Sequence, residues 1–164
     1  MHDVVAFTYI SDDPYWTDQA EALSENLKKF GIDLIVDKRR IDKAHDVVSV
    51  YEHYQHRDES FIDFAMRERR RVLYLDAEIR MHRPLPNHWM DDVTVAFWVN
   101  GRQISMVGKD GNKYDLPINT GQGIWNKDGK IAYQRNIEQA IANIPAVGAY
   151  IDEHYIAQHI GPHI

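Results

Sequence analysis

The chain has 164 residues and no cysteine. A disulfide framework, a thiolate zinc site and a cysteine nucleophile are therefore excluded together. Nor is there an apolar run long enough to cross a membrane as a helix. The start, Met1-His2-Asp3-Val4, has no charged segment leading into an apolar stretch, so no signal peptide is expected. The common phosphate-binding signatures are missing as well. No P-loop of the form GxxxxGKS or GxxxxGKT occurs, and no GxGxxG follows the first apolar run. Gly121-Gln122-Gly123 is too short and too late to replace them. Positive charge is in deficit: 19 Lys and Arg against 25 Asp and Glu leave a net charge of −6. That balance argues against nucleic-acid backbone binding, which rests on many basic contacts. No repeat, low-complexity tract or linker breaks the chain, so one domain over residues 1–164 is expected, in a cytoplasmic setting.

What is present is an apolar fraction of 44%, enough for a real core. One stretch stands out: Arg71-Val-Leu-Tyr-Leu-Asp-Ala-Glu-Ile79. Its apolar run reads as a strand buried on both faces. Asp76 and Glu78 come where that strand leaves the sheet. Residues two apart on a strand share a face, so the two carboxylates would sit side by side. Such a pair suits a hard cation that takes oxygen ligands.

The preceding residues fit a β-α-β-α-β order. Val4–Ile10 is a first strand, rich in β-branched and aromatic residues. Ser11–Pro14 reads as a turn, and Thr17 as the N-cap of a helix carrying Ala20, Leu23, Leu27 and Phe30. Gly31 closes that helix, and Ile32–Val36 is a second strand ending at Asp37-Lys38-Arg39-Arg40. Residues 41–70 read as helical with a break, Asp58 capping a second helix with Phe61, Ile62, Ala65 and Met66. The right-handed rule for crossovers then lines up three strand ends along one edge. Residues 9–12, 37–39 and 76–78 would border one crevice, the usual place for a ligand in an open α/β sheet.

The second half changes character. Arg83–Pro86 is a stiff loop and Val93–Val99 a strand. Asn100-Gly101 signals a hairpin into residues 102–107, with further turns at Asp110-Gly111 and Asp128-Gly129. Ile118–Trp125 is a glycine-rich strand or bend, where a backbone or ligand comes close. A helix is expected over Ile131–Ile144, stopping before Pro145, and a last one from Tyr150. Apolar residues in Ala146–Ile160 leave packing on this domain or on a second copy open, so a homo-oligomer is among the expectations.

Taken in order, these motifs resemble the glycosyltransferases of the nucleotide-diphospho-sugar transferase fold, known as GT-A. Asp76-Ala77-Glu78 looks like the family's DxD motif in a DxE form, behind a helix with Phe61-Ile62 and a hydrophobic strand. Pro84 and Pro86 follow at about the family's distance. Asn119-Thr120-Gly121 looks like its Asn-Ser/Thr-Gly segment, and Asp152-Glu153 like the acidic pair opening a late helix. The implied fold class is α/β, a Rossmann-like GT-A sheet, mostly parallel with a small antiparallel extension. The implied activity is metal-dependent transfer of a sugar from a nucleotide-diphosphate donor, a UDP-sugar by resemblance, to an acceptor. Mn2+ or Mg2+ is the implied cofactor.

The resemblance assigns roles residue by residue. Glu78 would ligate the metal directly, and Asp76 would contact the ribose or a metal-bound water, with His159 as a third ligand. Thr8, Tyr9 and Asp37 would meet the nucleotide, Tyr9 or Tyr15 by stacking on the base. Lys38, Arg39 and Arg71 would neutralise phosphate. Asn119, Thr120 and Gly121 would face the sugar, and Asp152 or Glu153 would contact the acceptor or act as a base. Arg57 is disfavoured as a site residue, and His45, His53 and His56 read as surface. The third acid is Glu where the family has Asp, which lengthens the ligand arm. The family's C-terminal metal-binding histidine has only His159 and His163 as late counterparts. Two other classes stay open: a nucleotide-sugar-binding or partner protein of this fold without catalysis, and a nucleotidyltransferase or phosphohydrolase on a Rossmann-like sheet.

Overall fold

The structure, a computed structural model, describes residues 3–39, 47–86, 95–99, 104–125, 127–148 and 151–160. Strand β1 (Val4–Ser11) is buried at every position. Helix α1 (Pro14–Lys28) begins at Asp13, whose carboxylate accepts from the N–H of Tyr15 at 2.8 Å. Asp13 is therefore the N-cap in place of Thr17. Pro14 takes the first turn, where its missing N–H costs nothing. Ala20, Leu23 and Leu27 are the buried stripe. Gly31, at φ 69, ends the helix in the left-handed region, and the N–H of Ile32 returns to the carbonyl of Leu27.

Strand β2 (Asp33–Arg39) runs further than the apolar pattern suggested. Asp37, Lys38 and Arg39 pair in parallel with Tyr9, Ile10 and Ser11, so backbone pairing carries the strand through its charged end. Helix α2 (Val47–Arg67) is continuous across Asp58. Asp58 is no cap; it is buried in the helix, where Arg57 donates to its Oδ1 from Nε at 3.2 Å and from Nη2 at 3.1 Å. Strand β3 (Arg71–Leu75) lies on the other side of β1, also parallel to it.

Strands β4 (Val95–Val99) and β7 (Ile118–Trp125) complete one five-stranded sheet in the order β2-β1-β3-β7-β4. β7 runs antiparallel to both of its neighbours, so β4 again points the way of β1. β5 (Ser105–Val107) pairs with β6 (Lys113–Asp115) in a separate antiparallel sheet, through the expected turn at Asp110-Gly111. The molecule is thus a mixed α/β fold. The partner of β5 is β6 and not β4, which corrects the hairpin expected at Asn100-Gly101; those two residues lie outside the described ones. Helix α3 (Lys127–Val147) takes in Asp128-Gly129 and passes through Pro145, and α4 (Ile151–Ile160) follows. Neither the turn at residue 128 nor the stop before Pro145 is observed.

The sheet separates two cores. Val4, Ala6, Leu73, Leu75 and Ile124 pack against Leu23 and Leu27 of α1. On the other face Val5, Phe7, Tyr9, Val72, Tyr74 and Trp125 meet Phe61 and Ala65 of α2, Ile137 of α3 and Ala157 of α4. The alternation along β1 and β3 decides which residues face α2, and so which of them border the cleft described next.

Candidate active site at the carboxyl ends of the strands

β1 has β2 on one side and β3 on the other, so the chain reverses its direction of winding between β1 and β3. A crevice forms outside the strand ends at such a point. Here it is a cleft of about 150 Å3, bordered by Tyr9, Ser11, Trp16, His53, Arg57, Tyr74, Asp76 and Glu78.

The acidic pair is not on a strand. β3 stops at Leu75, and Asp76–Ile79 is a turn closed by the N–H of Ile79 donating to the carbonyl of Asp76 at 3.0 Å. The shared face expected from strand alternation is replaced by a shared turn, which still brings Asp76 and Glu78 to the same cleft. Asp76 is half-buried and Glu78 exposed. Arg80 braces this turn. Its Nη1 donates to the carbonyls of Ala77 and Ile79, both at 2.7 Å, and its Nη2 to Oε1 of Gln19 on α1 at 2.8 Å. Asn26 holds the next residue from both sides, donating to the carbonyl of Met81 at 2.9 Å and accepting from its N–H at 2.7 Å.

β7 reaches the same place from the neighbouring position. Its register against β4 jumps between Phe97↔Gly123 and Trp98↔Asn119, which bulges the segment between them. Bulges recur beside sites because they redirect the chain. The bulge brings Gly121 onto Asp76: the N–H of Asp76 donates to the Gly121 carbonyl at 2.8 Å. A Cβ on Gly121 would collide with the Asp76 carboxylate, which would have to shift to admit it. Asn119 Oδ1 accepts from the N–H of Gly121 at 2.8 Å, and Glu153 Oε1 of α4 accepts from the N–H of Thr120 at 3.4 Å. The segments Asp76–Glu78, Asn119–Gly121 and Glu153 therefore meet.

The other expected residues divide. Tyr9 borders the cleft, but the residue is only 4% exposed and its ring packs 5.0 Å from that of His53, so no ring face is open for stacking on a base. Burial pushes that phenol up to about 12, against the opposing pull of Arg39. The exposed aromatic Tyr15 stands outside the cleft, edge-on to Trp16, and Trp16 takes the place on its wall. Thr8 is fully buried and belongs to the alternate face of β1, away from Tyr9. Asp37 stands opposite Tyr9 on β2, already accepting from the Ser60 hydroxyl and lying 3.5 Å from Arg39. Lys38 is exposed.

Arg71 is not brought to the site. It opens β3 opposite Val4, and its N–H donates to the carbonyl of Asp3, at the amino edge of the sheet. This corrects its assignment to phosphate: the strand itself separates it from Asp76. The side chains of Asp152 and His159 lie outside the described residues.

Two cleft residues on α2 escaped the sequence reading. Arg57 is buried, with its guanidinium carbon 4.7 Å from the Tyr54 ring centre and 5.9 Å from that of Tyr74. His53 stands one helical turn before it. Burial, reinforced by Arg57 and His56, holds the His53 imidazole down at about 4, so it is neutral near pH 7. Nδ1 of His53 and the hydroxyl of Tyr9 are buried without a hydrogen-bond partner among the described residues. The signal was the spacing: Phe61, Arg57 and His53 follow at four-residue steps along the inward face. Tyr74 is a third addition. It is 4% exposed, burial raises its phenol well above the usual range, and its hydroxyl donates to Oδ1 of Asp76 at 3.2 Å.

Carboxylates are the ligands a hard divalent ion takes. Mg2+ characteristically takes one or two carboxylates and completes its shell with water and substrate phosphate. Asp76 and Glu78 supply two carboxylates at one turn. Among the described residues no third histidine or acid joins them.

Compared with known proteins, the chain matches no family model, no curated protein and no solved structure. Among the described residues, no helix is long and apolar enough to cross a membrane.

Proposed function

We propose that this protein is a metal-dependent glycosyltransferase of the GT-A kind, moving a sugar from a nucleotide-diphosphate donor to an acceptor. The observation that carries the reading is the meeting of the Asp76–Glu78 turn with the Asn119–Gly121 bulge beside the cleft. These are two of the motifs on which the resemblance to that family rests. They are far apart in sequence and touch through a backbone hydrogen bond.

The reading gives each part a task. A divalent ion, when bound, would stabilise the negative charge that builds on the departing diphosphate. Asp76 and Glu78 would hold it, on a turn that Arg80 keeps in place before any ligand arrives. The Tyr9 hydroxyl and His53 Nδ1 would be satisfied by polar groups of the nucleoside, and Trp16 would offer it an aromatic surface. Arg57, paired with Asp58, would contribute guanidinium N–H groups to the cleft wall. Asn119, Thr120 and Gly121 would approach the sugar. Glu153, which accepts from the Thr120 N–H, would act on the acceptor side. A UDP-sugar is the donor that the resemblance favours.

The test is product analysis. Purified protein is incubated with a panel of nucleotide sugars, with Mn2+ or with chelator. Metal-dependent release of nucleoside diphosphate, lost in Glu78→Gln, is expected. Release of pyrophosphate would instead indicate a nucleotidyltransferase. Nucleotide-sugar binding without turnover would indicate a non-catalytic relative.

A further inference from the structure

We propose that Tyr74 is a positioning residue: its hydroxyl, working against Gly121, sets the orientation in which Asp76 presents its carboxylate to a divalent cation. This rests on the metal-dependent reading above. Tyr74 precedes Asp76 by two residues, on the face of β3 that packs against α2. Its ring is held edge-on to Phe61, centres 5.4 Å apart at 78°, and lies 6.3 Å from the ring of Phe7. A ring packed in this way has no freedom to swing, so its hydroxyl is a fixed point. That hydroxyl reaches Oδ1 of Asp76 at 3.2 Å.

The rest of Asp76 is fixed as well. Its N–H is bonded to Gly121 and its carbonyl to Ile79. Oδ2 lies where a Cβ on Gly121 would sit, so any side chain there would displace the carboxylate. What is left is rotation of the side chain about χ1 and of the carboxylate about χ2, the second of which is broad for aspartate. The phenol on one side and the glycine on the other confine it. Phenylalanine would fill the same apolar space, so shape alone does not call for a hydroxyl here. Hydrogen bonds behind a metal-binding carboxylate orient it and tune its basicity, and losing one costs roughly 10–100-fold in metal affinity.

The experiment is Mn2+ titration by calorimetry on the full chain, with and without uridine diphosphate, alongside thermal unfolding. Glu78→Gln is the reference for the site. Tyr74→Phe is expected to weaken Mn2+ binding by about 10–100-fold while unfolding cooperatively. Gly121→Ala, which disturbs the same carboxylate from the opposite side and leaves Tyr74 intact, is expected to weaken it too. It also supplies the answer should Tyr74→Phe fold poorly. A purely structural Tyr74 would lower the melting temperature and leave Mn2+ affinity unchanged. If wild type binds Mn2+ through Glu78 and either folded variant binds equally well, the positioning role is overturned and the metal reading stands. If wild type binds no Mn2+, or Glu78→Gln binds as wild type does, the metal reading fails and this inference fails with it.

Discussion

Asp76 and Gly121 are joined twice: by a 2.8 Å hydrogen bond from the Asp76 N–H to the Gly121 carbonyl, and by contact of the Asp76 carboxylate with the glycine itself. That junction couples the end of β3 to the bulge in β7. It makes the acidic turn part of the sheet and not a loose loop beside it.

Gly121→Ala should therefore act on stability as well as on the site. Forcing a methyl group into a filled contact costs about 1–3 kcal/mol. Urea unfolding should show a midpoint lowered to match, with the slope unchanged. A variant as stable as wild type would mean that the carboxylate swings away freely.

Arg80 should matter to the same turn from its other side. Its guanidinium serves two turn carbonyls and Gln19. Hydrogen bonds from a charged group are worth about 1.5–3 kcal/mol. Arg80→Met, which keeps the apolar stem, should lose about that much in urea unfolding. It should also expose residues 76–81 to faster amide exchange than wild type. Unchanged exchange there would show that the turn holds without the brace.

The junction was half legible in the sequence. The acids at a strand end and the Asn-Thr-Gly run can be read locally, because hydrophobic runs and turn residues mark their own boundaries. That the two segments touch depends on β7 inserting antiparallel between β3 and β4, which leaves no local mark, whereas the glycines of Ile118–Trp125 do mark the irregular strand. The charged end of β2 looked like a loop because its stabilisation comes from pairing with β1, not from its side chains. Asp58 looked like a cap because an acid before an apolar run usually is one. Its neighbour Arg57 donates to its Oδ1 inside the helix instead. His53 reads as surface because His45, His53 and His56 stand at mixed spacing, although the four-residue steps from Phe61 through Arg57 to His53 place both residues on the inward face. Arg71 opens β3, so the length of that strand separates it from Asp76.

His53 gives a pH prediction. In the folded protein it takes up a proton only near pH 4, below its ordinary value of 6.5. Between those values the unfolded chain binds the proton and the folded one does not. The folded state is then favoured less as pH falls, while the contribution is fully present above 6.5. The groups acting on His53 are the charges of Arg57 and His56, with Tyr9 and Tyr54 packed on its ring. Melting temperature measured from pH 7 to pH 4.5 should fall more steeply for wild type than for His53→Phe. Parallel curves would contradict a buried, neutral imidazole.

The most direct test of the account is thermal unfolding of wild type and Glu78→Gln with nucleoside diphosphates and nucleotide sugars, each with and without Mn2+. A ligand that binds only the folded state raises the melting temperature by mass action, by about 2.7 kcal/mol of added stability at a hundred times its Kd. The account predicts a rise that needs both Mn2+ and one class of nucleotide, and that is lost in Glu78→Gln. No rise with any nucleotide, or a rise that Glu78→Gln leaves intact, would contradict it.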